Sequence, residues 1–170
     1  AELKKIGSAF KIETDITFSD MSQPLGRYAG LGCEIIESIN CLKGDGPNDL
    51  IELSLELGSK ILLQSKKANN KNEAKKKMLK TIDDGSALKK FEEMIIAQGG
   101  NFEQLQMSQS NIKNELYICS DRGGYISSMD TEKIGWALVE MGCGRRRDKD
   151  LLDFTAGIRF NVKVGETVKK

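Results

Sequence analysis

Apolar positions recur at intervals of three and four over most of the first hundred residues, and that spacing predicts helices. Leu3, Ile6 and Phe10 share one face over Glu2–Phe10. Glu13–Phe18 breaks the pattern: Thr14, Ile16 and Phe18 alternate with Asp15 and Thr17, the period of a half-buried strand. From about Cys33 the helical spacing returns, with Cys33, Ile36, Ile39 and Leu42 on one face and Ile35 at its flank. After the break Gly44-Asp45-Gly46, Pro47 suits the first position of another helix, where its missing N–H costs nothing. Its stripe is Leu50, Leu53, Leu57 and Ile61, with Leu62 beside it, and it runs to about Lys66. Ala74, Met78, Leu79 and Ile82 line a lysine-rich helix over 73–82. Ser86 then caps a helix over 87–98, packed through Leu88, Phe91, Met94 and Ile95.

From Asn101 to Asn114 the chain is polar and weakly patterned, and a domain boundary is expected there. Beyond it strands are expected. Leu116–Cys119 and Tyr125–Met129 flank Asp121-Arg122-Gly123-Gly124 as a hairpin, and two further β segments, 157–162 and 166–168, flank Val164-Gly165. Between them Asp130 caps a helix to about Met141, with Ile134, Ala137, Leu138 and Met141 inward. The fold class is therefore α+β. A mostly helical part of an α/β domain (1–113) is followed by a small strand-rich α+β domain (114–170). A helix leading into a strand at the very start resembles the second half of a βαβ crossover, so the chain reads as cut from something longer. The strand at 13–18 should then lack most of its sheet neighbours.

Composition narrows the chemistry. Lysine plus arginine number 26 and aspartate plus glutamate 25, which gives no electrostatic reason to expect nucleic acid or a membrane as partner. The lysine clusters 66–67, 75–77 and 89–90 alternate with glutamates and read as solvated helix faces. Cys33, Cys41, Cys119 and Cys143 form no CxxC pair and read as buried reduced thiols of a cytoplasmic protein. With no histidine in the chain, Ser-His-Asp and Cys-His nucleophilic sets are excluded within it. Gly30-Leu31-Gly32 has Ile35 where a dinucleotide fingerprint needs its third glycine, and Gly58-Ser59-Lys60 lies mid-helix without a P-loop's upstream glycine.

Two stretches remain as candidate chemistry. Gln23-Pro24-Leu25-Gly26, continuing to Gly30 and Gly32, is a glycine-rich loop entering a helix whose first turns carry Glu34 and Glu37. Such a loop suits a small ion or phosphate. If it is shaped for close approach, Gly26 or Gly30 should adopt positive φ. Arg145-Arg146-Arg147, after Gly142-Cys143-Gly144, could close over an anion; the plainer alternative is a surface loop neutralised by Asp148, Asp150 and Asp153.

Asp20-Met21-Ser22-Gln23-Pro24-Leu25-Gly26, followed by Gly30, Glu34, Glu37 and Leu42-Lys43-Gly44-Asp45-Gly46-Pro47, resembles the pyrimidine-nucleoside and thymidine phosphorylase family. The likeness continues through Ala97-Gln98-Gly99-Gly100, Gly124-Tyr125-Ile126 and Gly142-Cys143-Gly144-Arg145 to the chain's last residue. It implies reversible phosphorolysis of pyrimidine nucleosides by a cytoplasmic homodimer without an organic cofactor. It also implies a C-terminal fold of hammerhead or barrel-sandwich type. The resemblance further implies a cation, potassium-like or calcium, held by the backbone carbonyls of Leu25 and Tyr28 and by the Glu37 carboxylate. Tyr28 stands where the family has a small residue, which a backbone ligand tolerates. The family's other cation ligands, its phosphate loop and its base-binding helical domain match nothing in this sequence, so the chain alone is expected to be inactive. The arginines at 145 and 146 correspond to the mouth of the family's interdomain cleft. Read without the resemblance, Glu37 is a solvated helix carboxylate. Two other readings stay open. One is a transferase of the anthranilate phosphoribosyltransferase type, which the strand-rich C-terminal part opposes. The other is a lipoyl-like carrier or interaction module, suggested by residues 162–170 but lacking a lysine at an exposed hairpin tip.

Overall fold

A computed structural model describes residues 2–107 and 114–170. The expected boundary between 113 and 114 borders residues outside that set. The described residues fold as seven helices and four two-residue strands, a mixed α+β chain dominated by helix. In order these are α1 (Glu2–Ala9), β1 (Tyr28–Ala29), α2 (Leu31–Leu42), α3 (Asn48–Gln64), α4 (Lys71–Asp83), α5 (Ser86–Ala97) and α6 (Phe102–Met107). They are followed by β2 (Gly124–Tyr125), α7 (Thr131–Glu140), β3 (Ile158–Arg159) and β4 (Thr167–Val168). No helix among them is long and apolar enough to cross a membrane.

Most helices follow their sequence signals; α5 does not, for Ser86, expected as its cap, is its first residue, and the cap position is the left-handed Gly85 without a side-chain cap. Asn70 accepts the Glu73 N–H while Glu73 reaches back to the Asn69 N–H, a reciprocal cap that starts α4. Asp130 caps α7 in the same way through the Lys133 N–H. α3 and α4 pack as an antiparallel pair around Ser59 and Ala74, both fully buried, and Gly58 leaves room for Met78. Of the expected stripe, Leu57 and Ile61 are 44% and 63% exposed, while the neighbouring Ser59 is buried. At Gly58 the two helices approach so closely that a Cβ would collide with Met78. α7 likewise turns Ala137 and Met141 outward, while Ile134, Leu138 and Val139 are half-buried.

The strands depart most from expectation. Glu13–Phe18 forms no ladder among the described residues, and Phe18 is 91% exposed. Alternation alone makes no strand; a neighbour must supply hydrogen bonds. Here Ile16 O accepts from the Lys60 ammonium, which also pairs with Asp15 at 3.1 Å. The expected hairpin does not form either. Leu116, Tyr117 and Ile118 stay exposed, and Gly124–Tyr125 pairs antiparallel with Thr167–Val168 instead. The 101–114 stretch is not wholly irregular: α6 packs Phe102 edge-on against Phe91, with ring centroids 6.3 Å apart. β3 pairs antiparallel with β1, with Tyr28 opposite Arg159 and Ala29 opposite Ile158, so this ladder crosses the expected domain boundary. The Arg159 guanidinium lies 5.7 Å from the centre of the Tyr28 ring, a cation–π contact on the same pair.

Candidate functional site

The loop 23–30 is held from three sides, and each hold begins at a glycine or a charged residue. Gly26 and Gly30 both take positive φ, 72° and 147°, as the close-approach reading requires. At Gly26 the left-handed backbone brings the main chain against α2, so that a Cβ would collide with the Glu37 carboxylate. The next amide, Arg27 N–H, donates to Glu37 Oε1 at 2.8 Å. Glu37 is only 5% exposed, so it is not the solvated carboxylate that its helical position suggested. Its second oxygen, Oε2, accepts no hydrogen bond among the described residues. An unpartnered oxygen on a buried carboxylate is costly unless something positive meets it.

Asp49, in the first turn of α3, makes the second hold. Its Oδ2 accepts the Gly26 N–H at 3.1 Å and lies 3.2 Å from the Lys163 ammonium. Lys163, 7% exposed, also donates to the Pro24 carbonyl. The third hold runs through the turn before β4. Arg27 forks onto both oxygens of Glu166, at 2.9 and 3.2 Å, and Glu166 in turn accepts the Lys163 N–H at 2.9 Å. Gln23 adds a bond from Val164 N–H, and Arg27 O accepts from Phe160 N–H. The result is a ring of Arg27, Glu166, Lys163 and Asp49, closed through the Gly26–Arg27 main chain and joined at the Arg27 N–H by Glu37, which ties the loop to α2, α3 and the C-terminal segment. With Glu37, three carboxylates against two cations leave it with one negative charge in excess.

The same ring perturbs its members. Burial works against the Asp49 anion, but the Lys163 ammonium and the Gly26 amide outweigh it and hold the carboxyl below its ordinary range. The Arg27 guanidinium, then the Lys163 amide, hold Glu166 down likewise, and Glu166 pushes Arg27 up. A carboxyl depressed in the folded state contributes stability that is complete above its unfolded pKa and is lost as pH falls through the folded one. The ring should therefore weaken from about pH 4 downward. Thermal midpoints followed from pH 6 to pH 3 should fall more steeply for the wild type than for Asp49→Asn, whose amide oxygen still accepts the Gly26 N–H. Parallel curves would show that the ring carries no pH-dependent stability.

Whether the other proposed ligands can face an ion follows from peptide geometry. Every described peptide bond is trans, so the C=O and N–H of one unit point in opposite directions. The unit joining Leu25 to Gly26 sends its N–H to Asp49, and the Leu25 carbonyl therefore turns away from Asp49. In the β1–β3 ladder, Phe160 N–H meets Arg27 O, so the opposed pair Tyr28–Arg159 is the one that exchanges no bonds. The Tyr28 carbonyl is left outside the ladder. Among the described residues neither carbonyl nor Glu37 Oε2 has a hydrogen-bond partner, and three such oxygens are the ligand type a hard cation takes.

Gly30 and Gly157 pass back to back where β1 meets β3, with the buried Cys33 thiol beside them. Behind this crossing a cleft of about 480 Å³ separates α2 from α7, floored by Leu31, Ile35, Leu138 and Val139. Burial pushes the Cys33, Cys41 and Cys143 thiols up, while Cys119 is exposed rather than buried. The arginine loop lies on the surface. Asp150 accepts the backbone N–H groups of Arg146 and Arg147, its carbonyl accepts from Arg145, and Arg146 pairs with Glu140. The loop is thus a surface loop whose one ion pair among the described residues is Arg146–Glu140, with Asp150 holding its backbone, rather than one neutralised by Asp148, Asp150 and Asp153. No motif in the sequence marks Lys163, Asp49, Arg27 or Glu166, although Lys163 lies in the carrier-like ending at 162–170 and Arg27 within the glycine-rich loop.

Residues 125–170 match the family model of the pyrimidine nucleoside phosphorylase C-terminal domain. Over 168 residues, 98% of the chain, the sequence is 36% identical to the pyrimidine-nucleoside phosphorylase of Staphylococcus epidermidis. Over 172 and 177 residues it is 37% identical to those of Staphylococcus aureus and Bacillus subtilis. The chain spans 39–41% of the length of these curated relatives and corresponds to their C-terminal part. The glycine-rich loop, the helix it enters and the C-terminal segment that grips it thus all lie within one stretch of homology, and the chain belongs to the pyrimidine-nucleoside phosphorylase family.

Proposed function

We propose that the chain forms the cation-holding wall of a pyrimidine nucleoside phosphorylase. In the reaction phosphate attacks C1′ of a pyrimidine nucleoside and releases the base, leaving ribose or deoxyribose 1-phosphate. The observation that carries this reading is Glu37: a carboxylate buried at the base of a left-handed glycine loop, with one oxygen unpartnered. Glu37 Oε2 and the carbonyls of Leu25 and Tyr28 would hold the ion. The single excess negative charge of the surrounding ring matches a monovalent cation such as potassium better than calcium, whose sites gather six to eight oxygens and more charge. When bound, such an ion supplies positive charge beside the phosphate-binding side of the cleft. The chain's own contribution is to hold the loop rigid and to keep Glu37 away from water. Arg145 and Arg146 belong to closure in this reading, and Arg146 would have to leave Glu140 to take part.

The same reading makes the intact enzyme a cytoplasmic homodimer that acts on a pyrimidine nucleoside and phosphate, with no nucleic acid or membrane involved. Residues 114–170 form its C-terminal domain. The carrier alternative is disfavoured by Lys163, the lysine next to the Val164-Gly165 turn, which is buried against Asp49 and cannot be offered to a modifying enzyme.

Two assays test the proposal together. The purified chain, incubated with thymidine or uridine and phosphate, should release no base above a buffer control. Positioning two reactants is worth on the order of 7–11 kcal/mol of barrier, and the chain supplies only the supporting wall. A fusion in which the chain replaces the matched portion of the Bacillus subtilis relative should release base, and do so faster in potassium chloride than in choline chloride. An active, potassium-indifferent fusion would remove the cation, and base release by the chain alone would overturn the division of labour.

A further inference from the structure

A buried lysine needs a reason, because its ammonium loses water that only well-placed partners replace. Lys163 has two such partners and both flank Leu25: the Pro24 carbonyl on one side, and on the other Asp49, which accepts the Gly26 N–H. The peptide unit between Pro24 and Leu25 is thereby fixed through its C=O, and the unit between Leu25 and Gly26 through its N–H. With both neighbouring planes fixed and every bond trans, the direction of the Leu25 carbonyl has no freedom left. Lys163 is itself held by its own N–H on Glu166, which Arg27 grips from the loop side.

We propose that Lys163 is a positioning residue for the phosphorolysis site: by bridging Asp49 and the Pro24 carbonyl it aims the Leu25 carbonyl at the ion beside Glu37. The C-terminal segment is then a latch on the loop, and its docking sets how well the ion is held. This rests on the cation reading for its purpose but not for its geometry, and the two can be separated.

The first measurement is amide hydrogen exchange on the chain itself without potassium. Lys163→Met keeps the length and the apolar stem but removes the charge. Gly26 and Arg27 amides should exchange about tenfold faster in it, with amides of α3 and α4 around Ser59 and Ala74 unchanged. Lys163→Arg, which can still bridge an acidic oxygen and a carbonyl, should restore slow exchange to within about threefold. Unchanged exchange at Gly26 and Arg27, or an even rise across α3 and α4, would overturn the proposal. The second measurement is the potassium midpoint of phosphorolysis in the fusion enzyme. Lys163→Met should raise that midpoint about tenfold while kcat at saturating potassium stays within about twofold, because the ion restores the aim that the latch had supplied. A fall in kcat with the midpoint unmoved would make Lys163 merely structural and overturn the positioning role. If the wild-type fusion shows no potassium dependence, the cation reading fails, and the exchange data alone decide whether the latch exists.

Discussion

Gly30→Ala should lower the thermal midpoint of the chain by roughly 6–12 °C, the shift that about 3 kcal/mol produces in a domain of this size. Two costs add. At φ 147° and ψ 170° Gly30 occupies a region nearly closed to L side chains, worth about 1–3 kcal/mol in strain. A Cβ there would also lie 2.7 Å from Gly157 Cα and 2.8 Å from Ala156 O. Those are backbone atoms and cannot rotate aside, so β1 and β3 must separate, at about 1–3 kcal/mol for overpacking. Gly85→Ala is the control. Gly85 also has positive φ, 73°, but a Cβ there meets nothing within 4 Å, so only the conformational cost of about 1 kcal/mol applies. A Gly30→Ala variant no less stable than Gly85→Ala would mean that the glycine crossing is looser than described. The effect should reach the loop as well, because β1 begins next to Arg27, whose carbonyl and guanidinium both bond the C-terminal segment.

Helices were legible in the sequence because their causes are local. Pro47 and Asp130 mark starts within a residue of where α3 and α7 begin, and the three-four spacing of Cys33, Ile36 and Ile39 identifies α2. Strands were not, because each needs a partner that the pattern does not name. Glu13–Phe18 has the right alternation and no ladder, whereas Tyr28–Ala29 has no pattern to speak of and pairs with residues 158–159. The site divides in the same way. Gly26, Gly30 and Glu37 stood out in sequence; the structure sets Gly26 against the buried Glu37 carboxylate, whereas Gly30 meets Gly157 and donates its N–H to Glu34. The residues that grip them lie far along the chain: Arg27 and Glu166 are 139 positions apart, Asp49 and Lys163 are 114. No spacing rule spans such distances. The one available signal was Lys163 itself, a charged residue between Val162 and Val164 in an apolar stretch.

Glu37→Gln should leave stability in choline chloride within about 1 kcal/mol of wild type, or slightly above it, and should abolish the extra stability that potassium chloride gives the fusion enzyme. The first half follows from what glutamine keeps. Its amide oxygen still accepts the Arg27 N–H, so that buried donor is not orphaned, which would cost about 1–3 kcal/mol. What it removes is the excess negative charge of the ring, a charge with no direct partner at Oε2, so the ion-free state loses little and sheds a repulsion. The second half follows from linkage. An ion that binds only the folded protein stabilises it by an amount set by its concentration over Kd, about 2.7 kcal/mol at a hundredfold excess. Without the carboxylate only the neutral carbonyls of Leu25 and Tyr28 remain, and a potassium ion has no charge to meet. Glu37→Ala separates the two effects: it should lose stability in both salts, because the Arg27 amide then has no acceptor and a cavity opens beneath Gly26. Thermal unfolding of wild type, Gln and Ala in the two salts at equal ionic strength reads all three cases. Potassium stabilising Gln as much as wild type would show that the ion, if bound, is held somewhere other than at Glu37.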